Sequence, residues 1–515
     1  DGLQVPSPAW QDQIIYFVMT DRFNDGDPSN NDQGAGEYDP DDASRYSGGD
    51  LQGVIDKLDY IKGLGATAVW VTPPVANQWV DPLVNYTGYH GYWAENFKEV
   101  DRHYGTLETY RSLSRALHQS GMYLIQDVVV NHTGNFFTYA NAGYDPSDVT
   151  KGYTANEKSL PHTAPTQAPF NLDDPRRPED KQAAIYHFTP AIANYEDQAQ
   201  RYNYQQSDLD DLNTENPVVA DALRDTYRYW IKEAGVDAFR LDSALSVPPA
   251  FYGGFVNETG DNPGVREYAR ALHPSKSDFI VFGEPFVNAR PYDDSTDKQV
   301  EALIRDGEGK PLLTSALNFP LHVGMQDAFA SGAPTAELTY RLTASMENHK
   351  DPYRMVNFLD NHDKARFLAV GSKAGLRQGL MFMMTTPGIP AIYYGTEQGF
   401  LGQRDAMFKG GVGSGGKDHF DPGAPLYTFI RGLSDIRKQN AVFRRGTPTV
   451  LKDSAAGPGV FAYAMREGEQ GGLVILNTAD TPVLLDNMDT GLPAGTKLEL
   501  LASLSANKGD VAVGP

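Results

Sequence analysis

The chain has 515 residues, 67 acidic against 44 basic side chains, a formal net charge of −23 and no cysteine. Zero Cys excludes disulfide scaffolds, thiolate metal sites and cysteine nucleophiles. The acidic excess excludes nucleic acid and anionic membranes as partners, because phosphate recognition needs a basic surface. Hydrophobic residues make up 40% and aromatics 11%, ample for a large core. At roughly 150 residues per domain the length predicts about three domains. No apolar run is long enough to span a bilayer, and none of the residues reads as a signal peptide. The first residue is Asp1 rather than Met, which predicts a processed or trimmed N-terminus.

The acidic excess is uneven. Residues 1–60 hold 13 acidic and three basic side chains, a local charge of −10. That concentration predicts either a solvated acidic face or a bound cation.

In chain order, short apolar runs alternate with amphipathic stretches. The runs at 14–19, 67–71, 123–130, 236–241, 279–282, 314–319, 355–359 and 391–394 read as strands. Continuous apolar strands are what a sheet buried on both faces requires. Helical patterns lie between them at 51–63, 107–120, 217–234, 265–272, 336–347, 364–384 and 427–438. Pro217 at a helix start and Gly235 just past its end are standard helix punctuation. Eight strands with interposed helices predict an α/β fold, a (β/α)8 TIM barrel.

Two regions break the alternation. Residues 133–210 are rich in Asn, Asp, Pro, Thr and Tyr with little periodicity, too long for a plain loop. They predict a small inserted domain after strand three. Beyond 441, Thr/Val/Leu runs at 447–451, 460–465, 473–477 and 497–501 are split by Gly and Pro. They predict a C-terminal antiparallel, β-sandwich-like domain over 441–515. The barrel then comprises 1–132 and 211–440.

Barrel chemistry sits at the C-terminal strand ends. Strand three runs into Asp127, three valines, Asn131 and His132. Strand four runs into Phe239, Arg240, Leu241 and Asp242. Strand five ends in Gly283 and Glu284, and strand seven in Asp360, Asn361, His362 and Asp363. Asp242, Glu284 and Asp363 therefore converge on one rim, with Arg240 on the same strand face as Asp242. The ordinary alternative for any one of them is a salt-bridged or loop-capping carboxylate. Converging carboxylates suit glycoside hydrolysis, which needs one carboxylic acid to protonate the leaving oxygen and one carboxylate to attack or stabilise the sugar carbon.

These stretches resemble the α-amylase family of glycoside hydrolases, which includes cyclodextrin glucanotransferases and cyclomaltodextrinases. The likeness rests on ordered signatures: the Asp127-to-His132 run, Gly235 to Asp242, Phe282 to Glu284 and Phe358 to Asp363. Asp211 to Pro217 resembles the family's motif closing the inserted domain, and Tyr89 to Trp93 the strip after strand two. The resemblance spans residues 14 to about 400. It implies a retaining enzyme acting on α-1,4-glucosidic bonds of starch, maltooligosaccharides or cyclodextrins. Asp242 would be the nucleophile, Glu284 the general acid and base, and Asp363 the group gripping the sugar hydroxyls. Arg240 would keep Asp242 ionised. His132, His362 and His90 would hydrogen-bond sugar hydroxyls, and Tyr92 would stack on the ring. The expected carboxyl separation is about 5–5.5 Å, and Glu284 should carry a raised pKa.

Asp25, Gly26, Asp27, Pro28, Ser29, Asn30 and Asn31 pack oxygens densely, with Gly48, Gly49 and Asp50 following. Hard oxygen ligands suit Ca²⁺; the alternative is an Asx-turn loop without an ion. The family likeness implies Asp25, Asp27, Asn30, Asn31, Asp50 and the Gly48 carbonyl as ligands. It implies a second Ca²⁺ at Asn131 and Asp211, with the Ser246 carbonyl able to stand where the family has a His carbonyl. After the nucleophile this chain has Ser243, Ala244, Leu245 and Ser246, where the family's amylases carry a Lys-His pair. That departure leaves room for a shorter substrate, transfer, or another linkage. The competing activities are hydrolysis and glucan transfer through the same intermediate; a non-catalytic carbohydrate-binding barrel would need a lost carboxylate. Trp79, Tyr86, Phe136 and Phe137 are candidate sugar platforms or packing residues. The likeness also implies a secreted or periplasmic protein with an α-glucan partner, and no nucleic acid or membrane span.

Overall fold

The structure is a computed structural model that describes residues 2–504 and 511–515. Asp1 and residues 505–510 of the expected terminal domain lie outside the described residues.

Eight parallel strands form one sheet: β1 (Ile15–Val18), β2 (Ala68–Val71), β3 (Tyr123–Val128), β4 (Ala238–Leu241), β5 (Ile280–Gly283), β6 (Ser315–Ala316), β7 (Val356–Asn357) and β8 (Ile389–Tyr393). They pair in the order β6-β5-β4-β3-β2-β1-β8-β7, and a parallel bridge from Leu317 to Val356 joins the two ends into a barrel. Every residue of these strands but the half-buried Tyr123 is buried, which is why their sequences are near-continuous apolar runs.

The expected strands at 314–319 and 355–359 are shorter than their apolar runs. Phe319 opens a helix, Phe319–Phe329, because Asn318 caps it by accepting from the Leu321 amide and Pro320 sits in its first turn. The helix expected at 364–384 is two, Phe367–Val370 and Lys373–Thr385, with Ser372 capping the second through the Gly375 amide. The expected helix at 217–234 stands as Pro217–Ala234, with Gly235 left-handed at φ 64° after it.

Between β3 and β4 the chain leaves the barrel. An isolated bridge from His132 to Asp211 ties the two ends of this excursion together. Within it, Phe137–Tyr139 pairs antiparallel with Tyr153–Ala155 around buried Phe137, Tyr186 and Phe188. After the barrel come β9 (Thr447–Lys452), β10 (Val460–Glu467) and β11 (Gln470–Asn477), a three-stranded antiparallel sheet. A separate pair joins Lys497–Leu498 to Val511–Ala512. The sheet docks on the Lys373–Thr385 helix through Phe382, Phe461 and Tyr463.

Candidate active site

Strand register assembles the centre. β3 against β4 sets Arg240 opposite Asp127, and β4 against β5 sets Leu241 opposite Gly283. Asp242 and Glu284 are the next residues on their strands, so both emerge at the C-terminal rim. Arg240 is fully buried. Its Nη1 donates to Asp242 Oδ1 at 2.8 Å and to Asp127 Oδ1 at 3.1 Å, and its Nη2 donates to Glu284 Oε2 at 2.9 Å. One guanidinium thus serves three carboxylates. Beneath it, the Trp70 indole N–H donates to Asp127 Oδ2 at 3.1 Å, and Phe17 stacks on Trp70 at 3.7 Å.

Asp363 stands across the cleft. Arg404 Nη2 donates to its Oδ1 at 3.2 Å, while the same guanidinium donates to the His362 carbonyl and the Tyr89 hydroxyl. The Tyr92 hydroxyl donates to Asp127 Oδ2 at 2.6 Å, so it accepts from His362 Nε2 at 2.8 Å. That fixes His362 as the Nε2–H tautomer. Tyr92 and His362 stack at 5.4 Å. His90 Nδ1 accepts from the Tyr92 amide at 3.1 Å, which leaves its Nε2 to carry the proton. His132 Nε2 donates to the Tyr92 carbonyl at 3.2 Å and its Nδ1 accepts from Asn131 at 3.0 Å.

These side chains line a cleft of about 1320 Å³. Asp242, Glu284, Asp363, His90, Tyr92, His132 and His362 all face it, as do Tyr86, Trp93 and Phe286. Of the candidate platforms, only Tyr86 lines it. Phe136 and Phe137 are wholly buried packing residues, and the Trp79 indole donates to Asp101.

The electrostatics separate the carboxylates. Burial pushes Glu284 up to about 8, with Asp242 and Asp363 reinforcing the rise and Arg240 opposing it. Burial also pushes Asp127 up to about 7 against Arg240. Burial works against the charge on Asp363, but His362 and Arg404 outweigh it and hold it below the usual range. Burial drives His362 down to about 3 and pulls His90 and His132 down as well, so all three are neutral near pH 7. With His362 uncharged, Arg404 supplies the lasting positive charge beside Asp363.

The N-terminal acidic loop is arranged around free oxygens. Asp25 Oδ1, Asn30 Oδ1 and Asn31 Oδ1 are buried without a hydrogen-bond partner. Asn31 Nδ2 donates to Asp25 Oδ2 at 2.5 Å. Gly48 has φ 108°, and a Cβ there would meet the Asn31 side chain at 2.7 Å, so the backbone passes close to that amide. Asp27 and Asp50 do other work: Asp27 Oδ1 accepts from Ser29, and Asp50 accepts from the amides of Gly26, Asp27 and Gly53. Three orphaned oxygens in one acidic loop fit a hard cation such as Ca²⁺.

The second expected set differs. Asp211 Oδ1 is orphaned, but Oδ2 accepts from His187 Nδ1 at 2.6 Å, and His187 Nε2 reaches Glu215 at 3.0 Å. Burial would lower His187, but its two carboxylate partners push it up to about 9, so an imidazolium already faces Asp211. The Asn131 Nδ2 amide meets His132 and the Ser246 hydroxyl meets Gln206, which leaves the Asn131 side-chain oxygen and the Ser246 carbonyl, the expected ligands, outside these two bonds. Among the described residues no cluster of three or more His, Asp or Glu side chains is poised for a metal ion.

Sequence reasoning passed over four residues of this site: Asp127 as the third partner of Arg240, Arg404, Gln206 and Ser243. Asp127 carried a signal, its place inside the strand-three signature. Arg404 lies in a Gly-rich loop with no periodic pattern.

A closed parallel barrel presenting carboxylates from several strand ends to one cleft defines an enzyme of the (β/α)8 class. Residues 17–445 match the family described as alpha amylase, catalytic domain. The chain belongs to the α-amylase family. It is 29% identical to a cyclomaltodextrin glucanotransferase of Bacillus licheniformis over 510 residues, covering 95% of this chain and 62% of that protein. It is 30% identical to an alpha-amylase of Streptomyces lividans over 512 residues, covering 86% of this chain and 52% of that one. A three-domain cyclomaltodextrin glucanotransferase superposes with TM-score 0.73 at 29% identity, covering 90% of this chain and 87% of that structure. An Anoxybacillus alpha-amylase superposes with TM-score 0.72 at 28% identity, covering 98% and 96%. The chain spans less than two thirds of the length of the curated relatives it matches first, 31% of a Paenibacillus polymyxa beta/alpha-amylase among them. Among the described residues no helix is long and apolar enough to cross a membrane.

Proposed function

We propose that this chain is a retaining α-glucan hydrolase cleaving α-1,4-glucosidic bonds through a covalent β-glucosyl-Asp242 intermediate. The observation that carries this reading is Arg240: one guanidinium holds an oxygen of Asp242 at 2.8 Å and of Glu284 at 2.9 Å. Sharing one guanidinium gathers the two carboxyl groups on the same side of the cleft, which supports a retaining pair. Their environments then assign the roles. Glu284, at about 8, is protonated near neutral pH and is the acid. Asp242 attacks.

In the first step Glu284 gives its proton to the glycosidic oxygen, the C1–O bond breaks and C1 bonds to an Asp242 oxygen. In the second, water attacks C1, its proton passes to Glu284, and the electron pair of the C1–Asp242 bond returns to the carboxylate. Asp363 and the neutral His362, His132 and His90 offer acceptors and N–H donors to the hydroxyls of the sugar at the cleavage point, and Tyr92 a face to its ring. Asp242→Asn and Glu284→Gln should each abolish turnover of starch, maltooligosaccharides and cyclodextrins. Full activity in either variant defeats the assignment.

Glucan transfer by the same intermediate is the second reading, favoured by the relatives named cyclomaltodextrin glucanotransferase and by the absent Lys-His pair. Product profiling on maltotetraose separates the two, since products longer than the substrate require transfer. We further assign a Ca²⁺ to the loop of Asp25, Asn30, Asn31 and the Gly48 carbonyl, with Asp27 and Asp50 shaping it. Its chemistry there is charge neutralisation. The Asn131, Asp211 and Ser246 set offers one orphaned side-chain oxygen, Asp211 Oδ1, beside the Ser246 carbonyl. We read residues 133–210 as an inserted domain, 441–515 as a terminal β domain, and the protein as secreted or periplasmic.

A further inference from the structure

Three side chains form one directed hydrogen-bond chain that ends on Asp242. The Ser246 hydroxyl donates to Gln206 Oε1 at 2.9 Å, Gln206 Nε2 donates to Ser243 Oγ at 3.0 Å, and Ser243 Oγ donates to Asp242 Oδ2 at 2.9 Å. The direction is fixed from one end. An ionised carboxylate only accepts, so Ser243 must spend its single proton on Asp242. Its oxygen must then accept from the Gln206 amide, which turns Oε1 toward Ser246. The Ser243 backbone N–H meanwhile donates to Glu284 Oε1 at 3.0 Å, so this residue touches both reacting carboxyl groups.

The chain is built at a conformational cost. Ser243 is left-handed, with φ 52° and ψ 44°. Gln206 is followed by two more non-glycine residues of positive φ, Ser207 at 49° and Asp208 at 64°. Such residues persist only where their surroundings over-determine them. Asp208 is anchored by the Thr138 hydroxyl at 3.1 Å. Two strained segments, distant in sequence, meet at one hydrogen bond beside the rim carboxylates.

We propose that Ser243 is a positioning residue for the second half of the reaction, its hydroxyl direction held by Gln206 and Ser246. The proposal rests on Asp242 as nucleophile. Arg240 holds Oδ1 with a charged donor and Ser243 holds Oδ2 with a neutral one, so Oδ2, the less firmly held oxygen, is the one assigned to bond C1. In the intermediate Oδ2 is an ester oxygen, a weak acceptor. As the C1–Oδ2 bond breaks, the electron pair returns to Oδ2 and the Ser243 hydrogen bond strengthens, because bonds to ionised acceptors are the stronger ones. That lowers the barrier to breakdown. The same bond stabilises the free carboxylate, so it raises the barrier to formation.

The two effects have opposite signs, which a merely structural role would not produce. The test is stopped-flow and steady-state kinetics on a 4-nitrophenyl α-maltoside, whose good leaving group makes breakdown limiting. Ser243→Ala should lower kcat by roughly 10-fold, in line with a hydrogen bond to a charged group. It should leave kcat/KM unchanged or raised, and should reveal a nitrophenol burst with a glycosyl adduct at Asp242. Ser243→Gly also removes the hydroxyl but relaxes the backbone, and should match Ser243→Ala. Gln206→Leu should shift kcat the same way by a smaller factor. Loss of kcat/KM in proportion to kcat, unchanged kcat, or wild-type kcat in Ser243→Gly would overturn the proposal. The nucleophile reading fails separately, if Asp242→Asn retains turnover or the adduct maps elsewhere.

Discussion

Arg240 and Asp127 face each other in register on adjacent barrel strands and form an ion pair of 3.1 Å with neither side chain exposed. The pair is part of a larger imbalance, one guanidinium against three carboxyl groups. A single buried cation cannot neutralise three buried anions, so one of the carboxyls keeps its proton. Glu284 is the cleft carboxyl that burial and its neighbours push up to about 8.

Asp127→Asn removes one negative charge from the set and frees Arg240 to act more strongly on Glu284. The Glu284 carboxyl should then fall toward its ordinary value. The basic limb of the kcat/KM profile, expected near 8 in the native enzyme, should move to lower pH. A pH–rate profile of the two proteins checks this. A limb that stays in place or moves upward contradicts it.

Arg404 is the lasting cation beside Asp363. Arg404→Leu should let burial raise the Asp363 carboxyl, moving the acid limb of the profile upward, and should lower kcat/KM by roughly 10- to 100-fold. Arg404→Lys should recover part of the loss. Lysine restores the charge but cannot also span the His362 carbonyl and the Tyr89 hydroxyl.

The acidic loop should respond to calcium without reference to catalysis. Added Ca²⁺ should raise Tm, and chelator should lower it, because an ion that binds only the folded chain stabilises it by mass action. In Asp25→Ala and Asn30→Ala the two curves should coincide. Differential scanning fluorimetry with a metal content assay measures both. An unchanged Tm in the native chain with no bound calcium overturns the assignment.

His103 ties this same region to the barrel. It lies between Asp101 at 2.7 Å and Glu37 at 3.2 Å, under the ring of Tyr46. Burial opposes its charge, but the two carboxylates raise it to about 9. A histidine raised above its unfolded value of about 6.5 adds stability that is fully present below that pH. That stability is lost as pH rises to about 9, by roughly 3 kcal/mol at most at 1.4 kcal/mol per unit. Urea denaturation of the native chain and His103→Gln should converge between pH 6.5 and 9.

Much of the barrel was legible because its strands are buried on both faces and leave long apolar runs. The strand-end carboxylates were legible for the same reason, since a charge that interrupts an apolar run is conspicuous. The misreadings have local causes. Asn318 and Pro320 turn an apolar run into a helix start, and Ser372 restarts a helix that periodicity alone carries through. Phe136 and Phe137 look like platforms in a polar stretch but pack inside it. The Gln206–Ser243 contact joins residues 37 apart in the chain through left-handed backbone that no pattern of side chains announces. Arg404 acts through contacts to Asp363, His362 and Tyr89, and none of these is near it in sequence.

The bridge between His132 and Asp211 has a mechanical corollary. The whole excursion between β3 and the Pro217–Ala234 helix departs and returns through a single pair of neighbouring residues, as a purse is gathered at its string. Whatever lies beyond that gather can lengthen, shorten or reshape without changing the distance the barrel must span. Yet Gln206 sits five residues before the gather, so any such remodelling is felt at Ser243. The barrel's scaffold feels it too, because Leu160 bridges Val80 and the Gln167 side-chain amide donates to Thr226 on that same helix.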